Sequence, residues 1–469
     1  MNNYKKLISN SAIFAVGNLG SKLIVIFLVP FYTYFLSKQE YGTVDLITTT
    51  TNMLLPVVSL SIFDAVLRFT MDKDENQLKI LTNGVIITTL GAIFSFLVTL
   101  LFFIIDLNFN NIIYMYFILT LQSYQSLFSQ YVRAIGKVKE FAINGILSAI
   151  VLSLSNILLI AFFKMNIAGY LLSIILSTMI SCIYLISVSE IGNKFNFSFF
   201  DRKLIKKMIV YSLPLIPNSF MWWIINASNR YFIVYFISLE ENGLFSVASK
   251  IPSVLAIFQM IFFQAWQLSA IDEFGSKKQN VFFSKVFEVF SVFMILMTSI
   301  ILLFLKPIVT FILSSNFYNS WKFVPFLLLG TLFSSFSSFF GTNYVASKKT
   351  GGALISSVVG SIINIILCLL LIPLIGTNGA GIATMVSFLG MWLYRVVDTQ
   401  KMILINIKIK KMVFEILLLF TQVVSLYKEN SFLNIMCFLF LFFCNIKLIK
   451  TIYLKIKKGI ELKLSGGRR

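Results

Sequence analysis

The chain of 469 residues has no histidine, only 19 acidic residues, and a charged fraction of 12%. Soluble domains carry about 25% charged residues. The deficit runs along the whole length and accompanies a hydrophobic fraction of 58%, which excludes a soluble globular protein. Without histidine there is no zinc-type site to build, and Cys182, Cys368, Cys437 and Cys444 sit in separate apolar runs with no CxxC pair. All four read as small buried hydrophobes, and no cofactor or metal is expected. GTNGAG (376–381) lacks the GxGxxG spacing and no strand precedes it, so it reads as a turn with close helix contact, and there is no P-loop. The loops gather no carboxylate cluster and no nucleophile–base pair, so an enzyme is not expected. The ten-residue alternating strands of a membrane barrel are also missing.

What is present is a series of long apolar runs separated by short polar loops. They predict an all-α integral membrane protein of about 14 transmembrane helices: 9–36, 42–68, 79–104, 111–133, 140–163, 167–190, 204–236, 243–270, 281–305, 320–345, 352–373, 378–400, 409–427 and 430–454. The first run is too long for a signal peptide and has no small-residue cleavage site, so it reads as a retained helix.

Lysine and arginine set the expected orientation. With a cytoplasmic N-terminus, 30 of the 39 fall in inner segments and only Lys38, Lys164, Lys306, Lys322 and Lys428 in outer loops. That asymmetry obeys the positive-inside rule. The formal net charge of +20 is therefore topology and attraction to anionic head groups, with no nucleic acid partner.

The two halves repeat. An ungapped shift of 201 residues lays KKLISNS (5–11) on KKMIVYS (206–212) and YFLSKQEYG (34–42) on YFISLEENG (235–243). IAGYLLSIILS (167–177) resembles GAGIATMVSFL (379–389) at an offset of 212. Each copy starts on the same side and holds six spans, a parallel repeat of the kind that places a transporter's site between its halves. The expected domains are a six-helix lobe at 1–200, a second at 201–400, and spans 13 and 14 with a basic cytoplasmic tail at 401–469.

The stretches NLGSKLIVIFLVPFYTYFLSKQEYG (18–42), YSLPLIPNSFMWWIINASNRYFI (211–233), ENGLFSVASKIP (241–252) and NFYNSWKFVPFLLLG (316–330) carry a resemblance. In order and spacing the chain resembles the O-antigen and capsule repeat-unit flippases of the multidrug/oligosaccharidyl-lipid/polysaccharide (MOP) exporter superfamily. The resemblance implies a MATE-like V of two lobes around a central cavity, working by alternating access. It also implies an undecaprenyl-pyrophosphate-linked oligosaccharide moved from the cytoplasmic to the outer leaflet of a bacterial cytoplasmic membrane. A polysaccharide polymerase and chain-length machinery are the implied protein partners. Lipid II flippases and MATE-type cation antiporters share the fold, and a membrane-embedded glycan polymerase is the alternative from a different class.

Four cations lie inside predicted spans: Lys22, Arg230, Lys250 and Arg395. A charge at a helix centre costs about 2.5–3.5 kcal/mol on insertion scales. The first three follow a polar residue one turn earlier (Asn18, Asn226, Ser246), which places each pair on one helix face. The substrate implied by the resemblance supplies an anion, and a unit-charge pair at 4 Å gains about 4 kcal/mol at an effective dielectric of 20. Lys22, Arg230 and Lys250 are therefore the candidate substrate-binding residues. The alternative for each is a structural partnership with a buried carboxylate such as Asp45, Asp64 or Glu288, or snorkelling to an interface. Arg395, near an inner helix end, is expected to snorkel. Asp64 and Arg68 at i,i+4 read as an ion pair, or as a gate or ion-coupling site, with Asp45 a second coupling candidate. Pro30, Pro56, Pro214, Pro217 and Pro252 are candidate bends. Trp222 and Trp223 read as span-wall packing or as sugar-stacking rings.

Overall fold

A computed structural model of the protein describes residues 20, 24, 27–72, 75–104, 111–189, 196–347 and 351–466. Among the described residues there is no β-strand. A first helix, α1, is described over 27–35. It is followed by α2 (Lys38–Val58), α3 (Ile62–Thr70), α4 (Gln77–Ile104), α5 (Ile112–Ala134), α6 (Val138–Asn156) and α7 (Asn166–Ser189). Next come α8 (Arg202–Ser212), α9 (Leu215–Ala227), α10 (Asn229–Phe236), α11 (Leu239–Glu273), α12 (Gln279–Leu303) and α13 (Leu305–Ile312). The last are α14 (Val324–Ala346), α15 (Gly351–Ile375), α16 (Asn378–Thr399), α17 (Ile409–Tyr427) and α18 (Ser431–Gly466).

Among the described residues, 10 helices are long and apolar enough to cross a membrane, with α8 and α9 making one between them, and the bent pair α2–α3 makes an eleventh. The other three expected spans each have a local reason to fall outside that group. The first extends beyond the described residues. α5 is 23 residues long but carries Gln122, Gln125 and Gln130, and α17 carries Lys410, Lys411 and Glu415. The protein is an all-α membrane protein.

The expected second span, 42–68, bends close to its candidate proline, Pro56, and is two helices meeting at 55°. Pro56 lies within the last turn of α2 and lacks the N–H that would bond back to the turn before it. Leu60 and Ser61 then take left-handed backbone angles (φ 50° and 48°), and the Ser61 amide bonds to the Pro56 carbonyl at 2.9 Å. Pro214 likewise precedes α9, whereas Pro252 lies inside the unbroken α11.

The chain divides into two compact units: Met1–Lys250 with Ile312–Phe317 and Asn364–Ala380, and Ile251–Phe311 with Tyr318–Ile363 and Gly381–Arg469. The first has an aliphatic core around Ile62, Val66, Leu81, Leu127, Leu185 and Met208. Its 196–201 connection is fastened by Asn83, whose amide donates to the Phe199 carbonyl (3.1 Å) and accepts from the Asp201 amide (3.0 Å). Asp201 then caps α8 through its own Oδ1, which accepts from Lys203 N (2.9 Å) and Leu204 N (3.1 Å).

The second unit is packed with aromatic rings. Phe262, Trp266 and Phe339 stack within 23° of parallel, and Phe290 lies 4.2 Å from Phe262. Offset stacking adds about 0.5–1.5 kcal/mol per pair beyond area burial. α17 and α18 are joined to α12 through Gln422, which accepts from Ser299 Oγ (2.7 Å) and donates to Asn434 Oδ1 (2.8 Å).

Candidate functional site

The site begins with the repeated sequence. Ser37 and Glu40 form a capping box at the start of α2, with Glu40 N donating to Ser37 Oγ (3.2 Å) and Ser37 N to Glu40 Oε2 (2.8 Å). In the second copy Glu241 N donates to Ser238 Oγ at 3.2 Å. Each glutamate also reaches the N-terminal end of a later helix of its own repeat. Asn166 Nδ2 donates to Glu40 Oε1 (2.7 Å) and Thr377 Oγ1 to Glu241 Oε2 (2.8 Å). Between the two caps the helices cross at Gly42 and Gly243, and Asn242 Nδ2 donates to the Gly42 carbonyl at 2.9 Å. This junction places Asp45 one turn beyond the crossing on α2, and Lys250 two turns beyond it on α11.

Asp45 faces Arg230. Arg230 Nε donates to Asp45 Oδ2 at 2.6 Å, with the two side chains only 12% and 8% exposed. Arg230 Nη1 donates to the Asn226 carbonyl at 3.0 Å, while the Asn226 amide turns back to the Trp222 carbonyl at 2.8 Å. The arginine therefore takes the backbone of the residue one turn earlier and not its side chain. Lys250 lies within electrostatic reach of both groups, attracted by Asp45 and repelled by Arg230. Tyr41 is close to the same pair, and the Tyr32 and Tyr170 rings lie beside it, 4.8 Å apart. Two further bonds brace α2 at this level. Thr50 Oγ1 shares a 2.5 Å hydrogen bond with Tyr231 OH, and Trp223 Nε1 donates to the Thr49 carbonyl at 3.2 Å.

The expected residues thus separate. Arg230, Asp45 and Lys250 come together. Lys22 and its neighbour Asn18 lie outside the described residues. Arg68 pairs with Asp72 at 3.9 Å on the exposed surface and not with Asp64, so the expected i,i+4 pair is displaced by one turn. Asp64 sits in the first turn of α3, just past the bend. Trp223 is a wall residue, stacked on Phe220 at 5.7 Å and bonded to α2. Glu288 meets Lys408 at 2.7 Å.

Arg395 corrects its expectation. It is 3% exposed, so it does not snorkel. Nε donates to Ser356 Oγ (2.8 Å), Nη1 to the Ser337 carbonyl (3.0 Å) and Nη2 to Ser357 Oγ (3.4 Å). Hydroxyls and a carbonyl replace the water that snorkelling would have sought. Of the cysteines, Cys444 is exposed and the other three are buried, because its face of α18 is unpacked. The GTNGAG stretch behaves as expected. Gly376 has φ 68°, and a Cβ on Gly379 would lie 2.6 Å from the Leu371 carbonyl oxygen.

A second polar network was missed by the sequence reading. Cys368 Sγ donates to Asn229 Oδ1 (3.1 Å), Asn229 Nδ2 to the Ala380 carbonyl (3.4 Å), and Ser228 Oγ to Asn364 Oδ1 (3.2 Å). The signal available was the polar pair Ser228–Asn229 inside a span, which the adjacent Arg230 overshadowed.

Residues 7–267, more than half of the chain, match the family described as polysaccharide biosynthesis protein. The chain belongs to that family. Comparison with curated proteins finds no match. In fold, this family member is similar to a multidrug resistance MATE family transporter of the MOP superfamily in its inward-facing conformation. The TM-score is 0.68 at 11% identity, over 83% of this chain and 98% of that one. It is also similar to the lipid II flippase MurJ in an inward closed conformation, with a TM-score of 0.66 at 16% identity over 93% of this chain and 100% of MurJ. An outward-facing MATE structure matches at a TM-score of 0.60 and 10% identity, over 85% of this chain and 96% of that one. The fold is that of MOP transporters, and the protein is a membrane protein of polysaccharide biosynthesis.

Proposed function

We propose that the protein is a polysaccharide-repeat flippase. It carries an undecaprenyl-pyrophosphate-linked oligosaccharide from the cytoplasmic to the outer leaflet by alternating access, and breaks no bond in doing so. The observation that carries this reading is the grouping of Arg230 and Lys250 around Asp45 on membrane-spanning helices. These three groups sum to one positive charge, an arrangement that favours a multivalent anion over a cation. Asp45 serves as the resident counter-ion. An arriving pyrophosphate takes over the Arg230 guanidinium, which matches phosphate oxygens two at a time, while Lys250 acts as a point charge. Lys22 joins them by its place in the sequence. The two six-helix repeats, 1–200 and 201–400, are the rocking bodies of this cycle, between cytoplasmic termini. O-antigen and capsule assembly are the settings, with a polymerase and chain-length machinery downstream.

A lipid II flippase is the second reading, favoured by the likeness to MurJ over 93% of the chain. It requires the same head-group chemistry and differs in the sugar. A cation antiporter fits less well, because Arg230 and Lys250 repel its substrate.

The test is leaflet transfer of a fluorescent undecaprenyl-pyrophosphate-linked sugar in proteoliposomes. Wild type transfers it, whereas Arg230→Ala, Lys250→Ala and Lys22→Ala, each reconstituted at the same amount of folded protein, lose transfer. Transfer of lipid II alone selects the second reading. Transfer of a cationic dye alone, or full transfer by Arg230→Ala, overturns the proposal. If Asp45 or Asp64 couples transport to an ion, its Asn variant flattens the dependence on a proton or sodium gradient.

A further inference from the structure

The helix faces that carry Asp45 and Arg230 continue inward as a row of uncharged polar side chains. On α2, Asn52 lies two turns beyond Asp45 on the same face. On α9, Asn226 and Ser219 lie one and three turns before Arg230, again on the same face. Ser228, between α9 and α10, keeps right-handed helical angles (φ −61°, ψ −26°), so that face is continuous. Because Arg230 and Asp45 bond to each other, both rows start at one point and share one side of the helix pair. The Thr50–Tyr231 bond closes the other side, and the Trp223–Thr49 bond bridges the seam. At 1.5 Å per residue the row reaches about 10 Å from the ion pair on α2 and about 16 Å on α9. All of these residues belong to the first compact unit.

The row does not suit lipid. Asn52, Asn226 and Ser219 are all exposed, and all lie well inside their spans. Elsewhere the exposed residues of a span are apolar, as Leu90, Phe94, Leu97 and Leu101 of α4 are. An amide or hydroxyl left in hydrocarbon without a partner costs about 2–7 kcal/mol. A polar row at this depth therefore faces water or a polar ligand.

The row offers donors and acceptors but no charge. Asn226 Nδ2 donates one proton to the Trp222 carbonyl (2.8 Å), and Ser219 Oγ donates its own to the Leu215 carbonyl (3.2 Å). A second amide N–H, an amide oxygen and a hydroxyl oxygen remain for a ligand, beside the exposed Asn52 amide. Sugar hydroxyls both donate and accept, so they match these groups without needing a charge. A prenyl chain would leave the amides unpaired, and a carboxylate-bearing sugar would find no cation in the row.

We infer that this row binds the neutral sugars next to the pyrophosphate, and that Asn52 and Asn226 distinguish a glycosylated lipid from its bare carrier. The inference rests on the flippase reading, which sets the pyrophosphate at Arg230, and adds where the glycan lies and which groups hold it.

The experiment is native mass spectrometry of the folded full-length protein with an equimolar mixture of two lipids. One is undecaprenyl pyrophosphate, and the other is the same lipid carrying a neutral hexose trisaccharide. Wild type is expected to retain the glycosylated lipid about tenfold over the bare one, the effect of one or two net hydrogen bonds. Asn52→Ala with Asn226→Ala should bring the two lipids close to equal retention. Asn52→Ala alone should remove part of the preference, and Asn52→Gln with Asn226→Gln, which keeps the amides, should restore part of it. A preference that the alanine pair leaves intact, or a wild type that holds both lipids equally, overturns the sugar row and leaves the flippase reading standing. Retention of neither lipid by wild type overturns the flippase reading, and this inference with it.

Discussion

Gly42 and Gly243 touch backbone to backbone, and each stands on the other's helix start. A Cβ on Gly42 would collide with the Leu239 carbonyl oxygen, and a Cβ on Gly243 with the Lys38 carbonyl oxygen. Lys38 and Leu239 are themselves equivalent under the 201-residue shift, so the contact obeys the sequence repeat in both directions. The crossing is close because neither residue has a side chain, and backbone carbonyls cannot move aside as a flexible side chain can. Gly42→Ala and Gly243→Ala are each expected to destabilise the protein by about 1–3 kcal/mol through overpacking. Gly351→Ala, where an added methyl meets nothing within 4 Å, is expected to stay within about 0.5 kcal/mol of wild type. Thermal melts of the three variants in one detergent check this, and equal melting temperatures would refute the crossing.

Much of this architecture was legible because a membrane span is a one-dimensional signal. Apolar runs and charge asymmetry are read along the chain, and YFLSKQEYG against YFISLEENG already marked the two caps and their glycines. The rest depends on which face of a helix meets what, which hydropathy does not encode. Arg395 looked like an interfacial residue because its depth was visible but its serine-lined surroundings were not. The bend after Pro56 was among five candidate proline bends, and nothing in the sequence set it apart from Pro252, which lies inside the whole helix α11. Two consecutive left-handed residues, Leu60 and Ser61, form the bend, and neither has a side chain that signals it. Arg230 and Asp45 were both singled out, yet their pairing joins residues 185 positions apart, and no local pattern gives that.

The Arg230–Asp45 pair is expected to act as a unit. Removing one partner of a buried pair leaves an uncompensated charge and costs about 3–5 kcal/mol. Arg230→Met and Asp45→Leu should each lower the melting temperature strongly, and the double variant should recover part of the loss. A double-mutant cycle on the purified protein measures this. Strict additivity would mean that the two side chains do not sense each other in the membrane.

Arg395 should tolerate lysine poorly. A lysine has one nitrogen where the guanidinium uses three, so Ser337, Ser356 and Ser357 cannot all be reached. Arg395→Lys is expected to cost about 1–3 kcal/mol through the acceptors it abandons. Gly341 adds a second test, because a Cβ there would lie 2.6 Å from Arg395 Nη1. Gly341→Ala should therefore destabilise wild type more than it destabilises Arg395→Lys. Equal effects in the two backgrounds would separate Gly341 from the arginine.

Asp201 provides a pH-dependent contribution outside the spans. The amide of Leu204, then that of Lys203 and the Lys79 ammonium 3.8 Å away, hold its carboxyl below the ordinary value of 3.8. A carboxylate depressed in the folded state stabilises it above the unfolded pKa, and that contribution disappears as pH falls through the folded value. Asp201→Ala should therefore melt below wild type at pH 5–7, by a constant margin. The margin should narrow below about pH 4 and close in stronger acid, where the wild-type cap is protonated too. Melting curves of both proteins across this range decide it. A margin that persists unchanged in strong acid would mean that the carboxylate charge plays no part in capping α8.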